Sequence, residues 1–113
     1  MSGLLMINEL NEHMTKLAEG VRLMAKYGKE FAEAERAYKV ELSQEALKLR
    51  DKGLPVTLID KVIYGSCADK RFKRDVAEVM YKTAQENVNA TKLRIRILDA
   101  QISREWGRNG PND

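Results

Sequence analysis

Residues 53–75, GLPVTLIDKVIYGSCADKRFKRD, gather one of the two prolines, two of the seven glycines, the only cysteine and the densest basic cluster of a chain whose other stretches favour helix. Just upstream, Lys48, Arg50 and Lys52 suit the carbonyl end of a helix. Gly53 suits a left-handed cap and Pro55 bars continuation, so a first helix is predicted to stop at about Lys52. Thr57 with Asp60 three positions on has the spacing of a capping box, which predicts a short helix over about 58–64 closed by Gly65. Ser66 and Asp69 repeat the spacing and predict the start of a second long helix at about residue 67. The interval reads as the tip of a helical hairpin, with Leu58, Ile59, Val62 and Ile63 plugging its end.

The 113 residues set an upper bound of one domain, and the abundance of Ala, Leu, Glu, Lys and Arg favours an all-α fold over a sandwich or barrel. That domain is predicted over 1–106, with helices over about 4–52, 58–64 and 67–106. The polar tail GRNGPND, residues 107–113, is expected to be disordered.

Both long segments carry heptad-like lines. In the first, Ile7, Leu10, Met14, Leu17, Val21, Met24, Gly28 and Phe31 alternate in steps of three and four, and the line then drifts through Ala34, Tyr38, Leu42, Ala46 and Leu49, as at a stutter. In the second, Ala77, Met80, Ala84, Val88, Thr91, Ile95, Leu98 and Ile102 follow the same alternation. The expectation is a long antiparallel, coiled-coil-like hairpin. Gly28 is read as lying within a continuous helix, where a small seam residue admits a bulky neighbour; a turn there would instead give a three-helix bundle. Leu23, Tyr27, Leu47, Val79, Leu93 and Ile97 fall off these seams, so a single hairpin would leave them wet. Self-association is therefore expected, with a dimer forming a four-helix bundle as the favoured state.

The net charge of +3 lies in the part of the chain after Ser66, which permits a polyanionic partner without requiring one. A single cysteine cannot form an internal disulfide, and no stretch approaches the ~20 apolar residues of a membrane span. A soluble cytoplasmic protein without membrane contact is expected.

Candidate chemistry is sparse. Cys67 is expected in the first turn of the second long helix, where the dipole favours a thiolate, but no histidine accompanies it and the reading is a small buried residue. His13 and Glu9 make a surface pair and fall short of the ligands that zinc needs. No nucleophile set or phosphate loop occurs, so no enzyme, metal or cofactor is expected. The positive signal is at the tip, where Lys70, Arg71, Lys73 and Arg74 with Phe72 among them, and Tyr64 nearby, are the candidate partner- or phosphate-binding residues. The bland alternative is a solvated face partly neutralised by Asp69, Asp75 and Glu78. Lys92, Arg94 and Arg96 alternate with apolar residues and cannot share one helix face.

The stretches EFAEAERAYKVEL, GLPVTLIDKVIYG and KRFKRDVAEVMYKTAQ resemble a loose group of small helical proteins encoded by phages and prophages of Gram-positive bacteria. The resemblance covers most of the chain and implies an accessory role in phage DNA metabolism or in blocking host defences. Two function classes follow. One is a binding module that occupies a host protein or a nucleotide, such as an anti-CRISPR-like inhibitor or a nucleotide-signal sponge. The other is a nucleic-acid-binding accessory factor whose basic second helix tracks phosphates. A structural coiled-coil assembly protein ranks third.

Overall fold

A computed structural model describes residues 3–108, which form three helices and no strand: α1 (Gly3–Asp51), α2 (Val56–Ser66) and α3 (Ala68–Arg108). The fold is the expected all-α helical hairpin. It contains two compact units, one spanning Lys26–Lys82 and the other built from the rest of α1 and α3. Gly107 and Arg108 continue α3, and residues 109–113 of the expected disordered tail lie outside the described residues.

α1 runs unbroken through Gly28, and its inner face differs in detail from the line of apolar residues. Ile7, Leu10, Leu17, Met24, Gly28 and Phe31 are partly buried as expected, but Met14 and Val21 are exposed. His13 and Gly20, each one residue earlier, take the places of those two, and Met6 and Tyr27 share the inward side with Ile7 and Gly28. Beyond Phe31 the steps of four run as expected through Ala34, the buried Tyr38, Leu42 and Ala46 to Leu49, all at least partly buried, so the stutter is present. Where Val88 of α3 comes close, the seam position is the small Gly20, so apolarity alone points to its neighbour Val21. On α3 the single exception is Met80, which is exposed while Tyr81 faces inward.

Tyr81 shows what the small residues do. A Cβ built on Gly28 would lie 3.1 Å from Cε1 of Tyr81, and one on Gly20 would lie 3.2 Å from a methyl of Val88. Each glycine thus lets α3 approach the α1 backbone within its own unit. Tyr81 also meets Phe31 with ring centroids 6.1 Å apart and planes tilted by 34°, a favourable offset aromatic pair. The buried Thr91 satisfies its hydroxyl locally by donating to the carbonyl of Asn87 at 2.9 Å.

At the tip, Gly53 takes φ 84° and closes α1: its N–H donates to Arg50 O at 2.9 Å, and that of Leu54 reaches Leu49 O at 3.2 Å. These two bonds are the Schellman arrangement expected of a left-handed C-terminal glycine. The capping boxes do not form. Pro55 is the N-cap of α2, with its carbonyl accepting from the N–H groups of Leu58 and Ile59, so the helix starts before Thr57. Proline suits that place because it has no N–H to leave unpaired.

Gly65 lies inside α2, and Ser66 ends that helix rather than starting the next. Only Cys67 separates α2 from α3, with φ −101° and ψ 17°. Its N–H donates to Ile63 O at 2.9 Å and its carbonyl accepts from Arg71 N at 3.1 Å, so one residue closes one helix and opens the other. The plug is also narrower than expected. Ile59 is buried and Ile63 partly so, whereas Leu58 and Val62 are exposed.

Gly28→Leu is expected to destabilise the fold by about 1–3 kcal/mol through overpacking against Tyr81, even though Leu is the better helix former. Urea unfolding measures this, and unchanged stability would mean that space exists under the ring. Gly53→Ala is expected to cost about 1 kcal/mol in the same assay, because a Cβ is strained at positive φ.

Candidate functional site

The candidate residues at the tip follow from the way α2 hands over to α3. Because one residue separates the helices, the carbonyl end of α2 lies beside the first turns of α3, and a cation seven residues beyond Tyr64 can return to it. Arg71 does so: its guanidinium donates to Tyr64 O at 2.7 Å and stacks over the Tyr64 ring, 3.7 Å from the centroid. Positive charge at a helix C-terminus and a cation on an aromatic face are both favourable, so this pair braces the corner.

Arg74 occupies an inward position of α3, three residues before Ala77, and its guanidinium lies over the Tyr38 ring of α1 at 4.7 Å from the centroid. Its Nε and one terminal nitrogen both donate to Oδ1 of Asp75, at 3.0 and 2.8 Å. The Asp75 hydrogen bond is the leading cause of a pKa raised above the ordinary arginine value, so this cation stays charged at any working pH.

Lys70 and Lys73 have no hydrogen bond or ion pair among the described residues; Lys70 is half-buried and Lys73 exposed. Phe72 is 68% exposed. With about 100° between successive residues of a helix, its ring projects to the side of α3 opposite Arg74. The structure therefore joins Tyr64 to Arg71 and Arg74 to Tyr38, leaves two lysines open, and turns Phe72 away from the arginine heads. A single phosphate clamp built from all six residues is not formed.

Two features were missed in the sequence. Tyr38 as the partner of Arg74 would have been found by carrying the steps of three and four back from Ala77. The outer line of α3, where Phe72, Val76 and Val79 recur at steps of four and three and are all exposed, was represented only by Val79. A groove of about 530 Å³ also follows the outer face of α1 between Ala32 and Leu47, lined by Val40 together with Arg36 and Lys39.

Cys67 and the His13–Glu9 pair are the remaining candidates. Cys67 is completely buried and reduced, with Ser66 Oγ 3.9 Å from its sulfur. In the other unit His13 Nε2 lies 3.6 Å from Glu9 Oε1, while its buried Nδ1 has no hydrogen-bond partner among the described residues. Both line a cleft of about 260 Å³ with Arg94 and Gln101. Among the described residues no group of three or more His, Cys, Asp or Glu is placed to hold a metal, and no helix is long and apolar enough to cross a membrane. Set against family models, curated proteins and solved structures, the chain matches none.

Arg71→Met is expected to lower stability by about 1 kcal/mol through loss of the Tyr64 stack and carbonyl contact. Lys70→Gln and Lys73→Gln should each stay within about 0.5 kcal/mol of the parent, because neither ammonium is engaged. Chemical unfolding of the three variants checks both statements, and equal effects would contradict the division between brace and open cations.

Proposed function

We propose that this chain is a non-enzymatic accessory protein of the phage type that acts by binding, forms a homodimer, and occupies a protein partner as a counter-defence inhibitor would in the cytoplasm of a bacterial host. The observation that carries the reading is the balance of its apolar surface. Among the described residues seven hydrophobic side chains are buried, whereas eighteen large ones are exposed. Exposed apolar side chains in this proportion mark association sites. The phage-type role rests on the resemblance of residues 30–42, 53–65 and 70–85 alone.

A second reading, binding of a nucleotide or nucleic acid, is favoured by one observation: Lys70 and Lys73 are unpaired, and Lys92, Arg94 and Arg96 are exposed further along α3, all in the part of the chain that carries the charge excess. It ranks second because Arg71 and Arg74, half of the basic cluster, are engaged with the fold itself.

Light scattering of the purified protein on a sizing column, with absorbance at 260 and 280 nm, tests the proposal. The expected result is a dimer of twice 12.9 kDa with the absorbance ratio of protein alone. A monomer would contradict self-association. Excess absorbance at 260 nm that salt removes would replace the first reading by the second.

A further inference from the structure

We infer that the outer face of α3 between Phe72 and Lys82 is the dimer contact, made by antiparallel docking on the same face of a second copy. This rests on the proposed self-association and names the surface responsible.

Phe72, Val76 and Val79 are separated by steps of four and three, the spacing of a helix-packing seam, and are 68%, 46% and 61% exposed. They lie on the side of α3 opposite Arg74, Ala77 and Tyr81, so the intramolecular pairing with α1 does not use them. The stripe is therefore a second seam without an occupant in the single chain.

Charge decides what fits it. Asp75 and Lys82 sit at equivalent flanking positions, one heptad apart. In a two-fold antiparallel pair centred between Val76 and Val79, Val76 of one copy meets Val79 of the other, and each Asp75 lies beside the other copy's Lys82. The same symmetry lays the aliphatic stem of Lys73 against Met80, which is also exposed.

Both ionic partners have capacity left. Arg74 uses only Oδ1 of Asp75, and Lys82 gives one of its three N–H groups to Glu78 at 3.1 Å. A parallel pairing would place Asp75 beside Met80 and gains no such match. The outer face of α1 is a poorer candidate, since a two-fold centred on its Val40 brings the Lys39 ammonium groups of both copies together.

Sedimentation equilibrium of the full chain tests the assignment. Val79→Asp should weaken dimerisation at least a hundredfold, with helicity by circular dichroism unchanged because the side chain is exposed within the single chain. Lys82→Glu should weaken it about tenfold by setting two carboxylates against each other, whereas Lys82→Arg should stay within about threefold of the parent. The charge variants keep the test decisive if Val79→Asp disturbs the helix. Dimers of Val79→Asp and Lys82→Glu as tight as the parent's would overturn this interface while leaving self-association standing. A Lys82→Glu dimer as tight as the parent's beside a weakened Val79→Asp would overturn the antiparallel docking. A parent chain that stays monomeric throughout would remove the proposed self-association itself.

Discussion

The close approach of α3 to the α1 backbone at Gly28 is the constraint on which the central part of the hairpin depends. A helix pair is held at 8–10 Å by the side chains between its axes. Without a Cβ at Gly28, the Tyr81 ring can lie against the α1 backbone and still meet Phe31. In the same unit Tyr38 is buried under the Arg74 guanidinium, which the carboxylate of Asp75 holds in place. A small residue on one helix and a large one on the other define a register more narrowly than a uniform row of leucines, because sliding by one turn puts the ring on a side chain.

The tip converts that pairing into surface chemistry. Its sharp handover at Cys67 leaves the carbonyl end of α2 needing a cation, and Arg71 meets that need. Arg74 is likewise drawn into the helix pairing. A basic cluster that looks in sequence like a ligand site is thereby divided between structure and solvent, and the apolar outer faces become the larger resource for recognition. Two helices in one layer can cover only one side of each other, so the exposed valines, leucines and phenylalanine follow from the architecture.

Much of the fold was legible in the sequence because its signals were local. Gly53 and Pro55 ended α1 near the expected place, and the apolar periods identified both long helices. The inner face of α1 was less legible, since Gly20 and His13 carry no apolar signal and their exposed neighbours Val21 and Met14 do. The capping boxes failed for a different reason: Thr57 and Ser66 have the right spacing, but the backbone geometry of Pro55 and Cys67 took the capping positions first. Of the candidate site, its residues were visible and their division was not, because the Tyr64 to Arg71 and Tyr38 to Arg74 contacts join side chains seven or more residues apart.

Hydroxyl-radical labelling of the full chain, read by mass spectrometry at Phe72 over a range of protein concentration, tests the central claim most directly: the outer seam of α3 is covered by a second copy. Phe72 is expected to be protected at high concentration, well below the reactivity of an aromatic ring 68% open to solvent, and to regain that reactivity on dilution. Reactivity at the level of the open ring across the whole range would contradict it.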